Sequence, residues 1–210
     1  MCFSAWSSFA SAGAIGFIGT AALTRARPRR DVPVASLPLL FALHQAVEGL
    51  VWVAVRQREP TLRYWMAHLY LVFAWGLVPA LVPVGVALVE PVRWRRSVLW
   101  AASALGALVG TWLLIEAFRT PIDVHVREHR MVYEYQGPAR DELIAAYVAA
   151  STASIFVSSR RWLRWFAFAL VVGLIASVIT SPQAFISVWC LFAALGSALI
   201  YLHVTRPEPA

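Results

Sequence analysis

Three polar side chains, His44, Gln45 and Glu48, interrupt an apolar run between Leu37 and Val55. An imidazole and a carboxylate four residues apart share one face of a helix. The run is long enough to cross a bilayer, where ionisable groups are costly and mark a functional site by default. Such a pair can exchange protons, bind an ion or polar solute, or ligate a metal.

Depth decides what can meet this pair. The next apolar run, Tyr64 to Val89, returns across the membrane and places His68 at about the depth of Glu48, roughly 6–10 Å below the outer boundary. Glu116 ends the following run, and Ser187 and Cys190 fall in the outer half of the last. His44, Gln45, Glu48, His68, Glu116 and Cys190 are therefore the expected lining of one outward-facing pocket, with His125 and His129 above it. His44, Glu48 and His68 are the candidate ligands of a divalent metal such as zinc, although their spacing matches no zinc signature. Glu48 and His68 are expected to face each other as a coupled pair. The structural alternatives are a register-fixing Glu48–His68 pair, a His44 bonded to a backbone carbonyl or Gln45, and ordinary loop histidines at 125 and 129. His203 reads as interfacial. Cys2 and Cys190 share the outer side, where a disulfide is permitted; two buried thiols are the alternative.

The elements that carry these residues follow from composition. The chain has 210 residues, 60% hydrophobic and 14% charged, and a mean hydropathy of +0.67. A soluble domain has about a quarter of its residues charged. Seven spans are expected: Phe3–Leu23, Pro33–Val55, Tyr64–Val89, Ser97–Phe118, Glu142–Ser158, Trp165–Ser181 and Ala184–His203. The result is an all-α, seven-helix transmembrane domain over residues 1–205 with a short cytoplasmic tail, 206–210. No positive charge precedes the first apolar run, so that run reads as a retained span and not a cleaved signal peptide.

Arginines orient the bundle. Arg25, Arg27, Arg29 and Arg30, then Arg93, Arg95 and Arg96, then Arg160, Arg161 and Arg164 follow spans one, three and five. This alternation places the N-terminus outside and the C-terminus in the cytoplasm, and tryptophans fall near both boundaries. The clusters are short and dispersed, so the basic pI implies no nucleic-acid partner; the expected partner is the lipid bilayer. All 18 basic residues are arginine. That excludes a Schiff-base lysine, hence a retinal protein, and a P-loop lysine.

The long connection, 119–141, lies outside. Ile122, Val124 and Val126 alternate with polar residues, as do Met131, Tyr133 and Tyr135. This predicts a small hairpin turning near Glu128–His129, functional or a lid, with a disordered solvated loop as the alternative. Ser8, Ala12, Gly16 and Gly19 form a helix-packing face on span one. Pro79 and Pro83 are expected to kink span three. Tyr147, Ser151, Ser154 and Ser158, and Ser187, Cys190, Ser197 and Tyr201, form stripes that line a cavity or join helices by hydrogen bonds.

The opening Met-Cys-Phe-Ser-Ala, the stretch Leu37–Trp52 with its His-Gln-x-x-Glu-Gly, and Ser-Val-Trp-Cys at 187–190 resemble a family of bacterial multi-pass membrane proteins classed as a domain of unknown function. The resemblance implies a small protein of the bacterial cytoplasmic membrane and brings no assigned activity. The residues favour binding or transport of a small solute, ion or proton. A metal-dependent membrane hydrolase with Glu48 as general base is the alternative, and a haem or quinone redox protein with His44 or His68 as ligand is a third. The ligand pattern of seven-span zinc hydrolases of the ceramidase type is not present.

Overall fold

The computed structural model describes residues 4–26, 29–127, 129–135, 141–180 and 185–206. Cys2 lies outside them, as do the side chains of Ser187 and Cys190, and with these the disulfide expectation.

The chain is all-α with one small sheet. Helix α1 spans Ala5–Arg25. Its start is set by a reciprocal cap: Ser4 Oγ accepts from the Ser7 N–H at 3.2 Å, and Ser7 Oγ accepts from the Ser4 N–H at 3.2 Å. Two N-terminal donors are thereby satisfied. Helix α2, Val32–Gln57, begins at a proline in its first turn and ends at Arg58, whose φ of 56° turns the chain. The α1 face foreseen from its small residues packs on α2. A Cβ on Gly16 would touch Ala42, one on Gly19 would strike Leu39, and Phe9 lies over Gly49. The pairs 9–49, 16–42 and 19–39 run in opposite senses, so the two helices are antiparallel.

The third long segment, Pro60–Val89, is three pieces: α3 (Pro60–Leu71), a π turn (Val72–Leu77) and α4 (Val78–Val89). Its irregularity has a covalent cause. In the π turn the Val78 N–H bonds the Phe73 carbonyl. The next bond in that register would need an N–H from Pro79, which has none. The orphaned Ala74 carbonyl instead accepts from the Tyr147 hydroxyl at 2.6 Å. Helix α5, Arg93–Arg119, presses two glycines into the same bend. A Cβ on Gly106 would land on the Pro79 carbonyl, and one on Gly110 on the Trp75 carbonyl. The Pro79 carbonyl is the one that Pro83 leaves without a helical N–H, and small residues let the α5 backbone come close to it. Ser103 adds a hydrogen bond to the Ala80 carbonyl, 2.9 Å.

After α5 come β1 (Ile122–Arg127) and β2 (Arg130–Tyr135), the antiparallel hairpin expected from period-two alternation. Helix α6, Asp141–Ser151, gives way at Thr152 to a 3₁₀ turn, Ala153–Val157. Ser151 and Ser154 bond back to the carbonyls of Tyr147 and Ala150, at 2.7 and 2.6 Å. Such back-bonding bends a helix. Helices α7 (Arg161–Thr180) and α8 (Phe185–Thr205) pack on each other. Among the described residues five helices are long and apolar enough to cross a membrane: 5–25, 29–57, 60–89, 93–119 and 161–180. Several large apolar side chains face outward, with Phe17 78% and Ile179 75% exposed.

Helix α2 is the axis of the bundle, in contact with α1, α3, α4 and α8. Two apolar cores flank its midpoint. Val34, Leu37 and Phe41 join one with Val86, Leu99, Phe166 and Ile200. Val47, Val51 and Trp52 join the other with Tyr70, Leu71, Met131 and Tyr133.

Candidate functional site

Between those two cores, His44, Gln45 and Glu48 are buried to within 1% of completely. Their helical spacing continues to Trp52, which is i+4 from Glu48 and i+8 from His44 and almost wholly buried. The α1–α2 register puts Ser8, also buried, at the level of the Glu48–Trp52 turn.

Aromatic rings close the site. The His44 ring lies 4.2 Å from that of Tyr70 and stacks near Phe73 at 5.8 Å. Tyr70 stacks in turn on Tyr133 of the hairpin, 4.5 Å centre to centre and 7° from parallel. Val124, Met131 and Tyr133 bury their side chains in the same apolar cluster as Trp52 and Tyr70. The hairpin thus covers this end of the bundle. The Arg56 guanidinium lies over the Trp52 ring at 5.8 Å.

The polar atoms here are poorly matched by the protein. Neither the amide oxygen nor the nitrogen of Gln45 meets a hydrogen-bond partner among the described residues, and the same holds for His44 Nε2, Trp52 Nε1 and Ser8 Oγ. Each such atom costs about 1–3 kcal/mol when buried. A cluster of this kind inside an apolar helix is unusual in a purely structural core.

His68 is buried between α3 and α5. Its Nδ1 lies 2.8 Å from the Tyr64 carbonyl and its Nε2 3.2 Å from the Ala117 carbonyl. The ring packs between Tyr64 and Phe118, 4.0 and 4.7 Å away. Each ring nitrogen thus lies near one backbone carbonyl, and the neutral ring can donate to one of the two, so His68 ties α3 to α5. The set His44, Glu48 and His68 does not converge as metal ligands. Among the described residues the three-ligand group that does converge is Asp123, His125 and Glu134. Glu116, half-buried, precedes the carbonyl that His68 engages. His129 is exposed at the hairpin turn, with a φ of 60°. His203 is buried near the end of α8.

Of the hydroxyl stripe, Tyr147 and Ser158 join separate elements, through the Ala74 carbonyl and Glu90, while Ser151 and Ser154 bond back within their own segment. Ser158 belongs to a cluster that sequence reasoning passed over. Glu90, at the end of α4, is almost fully buried. Its Oε2 accepts from Ser158 Oγ at 3.0 Å and the Ser159 N–H at 2.7 Å. Its Oε1 accepts from Ser159 Oγ at 2.7 Å and the Val92 N–H at 3.1 Å. Burial alone pushes this carboxyl up. The four donors, those of Ser159 foremost, outweigh it and hold the pKa below the ordinary carboxylate range. Arg160 donates to the Val89 carbonyl at 3.4 Å beside it. Glu90 therefore locks the end of α4 to the start of α7. A carboxylate closing an apolar run, followed by Pro91 and matched by a Ser-Ser pair in another connection, was the available signal.

The chain belongs to DUF6629, a family of unknown function, whose model matches residues 1–210. No curated protein and no solved structure matches it.

Proposed function

We propose that this member of the DUF6629 family is a multi-pass protein of a bacterial cytoplasmic membrane that binds, and passes on, a small solute, ion or proton at His44, Gln45 and Glu48. The observation that carries this reading is that His44 Nε2 and both ends of the Gln45 amide, buried in the middle of an apolar helix, meet no hydrogen-bond partner among the described residues. An imidazole, a carboxyl and a primary amide together offer both donors and acceptors to a small polar guest. The hairpin, docked through Tyr133 on Tyr70, is the gate of the site.

In this reading the five long helices are joined as spans by 142–157 and 185–205, giving seven. The segment 142–157 is short, yet its α and 3₁₀ parts together rise about 26 Å, close to a bilayer core of about 30 Å. The arginine alternation puts the N-terminus and the hairpin outside. The hydrolase and haem readings are less favoured by the arrangement. His44, Glu48 and His68 are not among the three-ligand groups that converge among the described residues, and each nitrogen of His68 lies beside a backbone carbonyl.

The test is thermal unfolding of the detergent-purified protein against sodium, potassium and stepwise pH. A guest that binds only the folded state raises Tm by mass action. The expected result is a shift with one of these probes in the wild type that is absent in Glu48→Gln. Equal responses in wild type, Glu48→Gln and Gln45→Met would overturn the assignment. The orientation is checked separately in a variant lacking Cys2 and Cys190. An impermeant thiol reagent should reach a cysteine at Arg127 in intact cells and one at Arg95 only after lysis; the reverse pattern overturns the frame.

A further inference from the structure

The hairpin carries a second group of ligating side chains, separate from the buried site. Side chains alternate across a strand. Val124 and Tyr133 turn toward the bundle, so Asp123, His125 and Glu134 stand on the other face. The register sets Glu134 directly opposite Asp123, with His125 two residues along β1. His125 Nδ1 lies 3.1 Å from Asp123 Oδ2, and one ligand atom from each of the three residues lies within 4.8 Å of the others.

Two carboxylates directly opposed on neighbouring strands repel each other. Arg127 and Arg130, paired at the turn end, share this face, and Arg130 sends its Nη1 to the Thr180 carbonyl, 2.8 Å away. A cation between the carboxylates would turn the repulsion into attraction. The spacing suits a small ion: with bonds of about 2.0–2.2 Å, two ligand atoms on a tetrahedral zinc lie roughly 3.4 Å apart. An imidazole beside carboxylates favours first-row transition ions over calcium or magnesium. The platform is held from beneath, because Val124 and Met131 are buried and Tyr133 is stacked on Tyr70.

We propose that Asp123, His125 and Glu134 bind one divalent transition-metal ion of the zinc type on the outer face of the hairpin. Two carboxylate oxygens and the His125 Nδ1 lone pair supply three ligands, and water completes the shell. The neutral ring keeps its proton on Nε2, and the Nδ1···Oδ2 hydrogen bond gives way to the metal. Binding here would clamp β1 to β2 and so fix the element that covers the buried site.

The experiment is titration of chelator-stripped, detergent-purified full-length protein with zinc ions, followed by calorimetry and equilibrium dialysis. The expected result is one zinc per chain, undisturbed by excess magnesium, with slower amide exchange in both strands. His125→Ala and Glu134→Gln should each weaken binding at least about tenfold. His129→Ala and Glu48→Gln should bind as the wild type does. Unchanged helical circular dichroism will show that the exposed variants fold. No stoichiometric zinc, equal binding in His125→Ala and Glu134→Gln, or loss of binding in Glu48→Gln would each overturn the proposal. The last would place the ion at the buried site.

Discussion

Replacing Gln45 by methionine should stabilise the protein, contrary to the usual effect of a core substitution. Gln45 is fully buried, and neither end of its amide meets a partner among the described residues. Each unmatched group costs about 1–3 kcal/mol, so the pair costs about 2–6 kcal/mol. Methionine is nearly the same volume, and its packing cost should stay below about 1.5 kcal/mol. The net gain is at least about 0.5 kcal/mol, and for a chain of this length Tm rises by roughly 2–4 °C for each kcal/mol. Thermal unfolding in one detergent at a fixed scan rate reads the difference, because membrane-protein unfolding is often kinetically controlled. Gln57→Met, at the exposed end of α2, is the control and should move Tm little. A stabilised Gln45→Met that also loses its response to the guest would show the usual exchange of stability for function. A lower Tm in Gln45→Met would refute the reasoning, since the amide would then be earning a hydrogen bond inside the folded protein.

Glu90→Gln should cost about 2–4 kcal/mol, because charge-assisted bonds from Ser158, Ser159 and Val92 are lost or weakened. The Glu90 pKa is lowered by folding, so its stabilisation is full above the unfolded carboxyl value and disappears as pH falls through the folded one. Acid titration of unfolding should accordingly show a shallower loss in Glu90→Gln than in the wild type. Gly106→Ala should destabilise by at least about 2 kcal/mol, since its Cβ would strike the Pro79 carbonyl. Gly13→Ala, with open space at that position, should be neutral or stabilising by up to about 1 kcal/mol; both are read by thermal unfolding. Tyr147→Phe should cost about 1–3 kcal/mol by leaving the Ala74 carbonyl unbonded, and an unchanged Tm would remove that bond from the account.

What sequence alone determined is local. Helix lengths, the small-residue face of α1, the disturbance at Pro79 and the hairpin at 122–135 all rest on periodicity or on a single residue's covalent limits, which neighbouring residues reveal. The burial of His44, Gln45 and Glu48 was legible for the same reason: they interrupt one apolar run. Height along each helix was legible too, because rise per residue is constant.

Tertiary structure alone decided which groups at one depth meet. Rise gives height but not the direction a helix face points, so the level of His68 did not show that its ring packs between Tyr64 and Phe118. The Ala74 carbonyl, freed by Pro79, is met by Tyr147 at a separation of 73 residues. Glu90 finds Ser158 and Ser159 across 68 and 69 residues. Asp123 and Glu134 oppose each other only because one register, and not its neighbour, buries Val124 and Tyr133. A one-residue slip would turn every hairpin side chain to the other face. Packing of that face against Tyr70 selects the register, and this information lies in another helix, beyond the reach of local pattern.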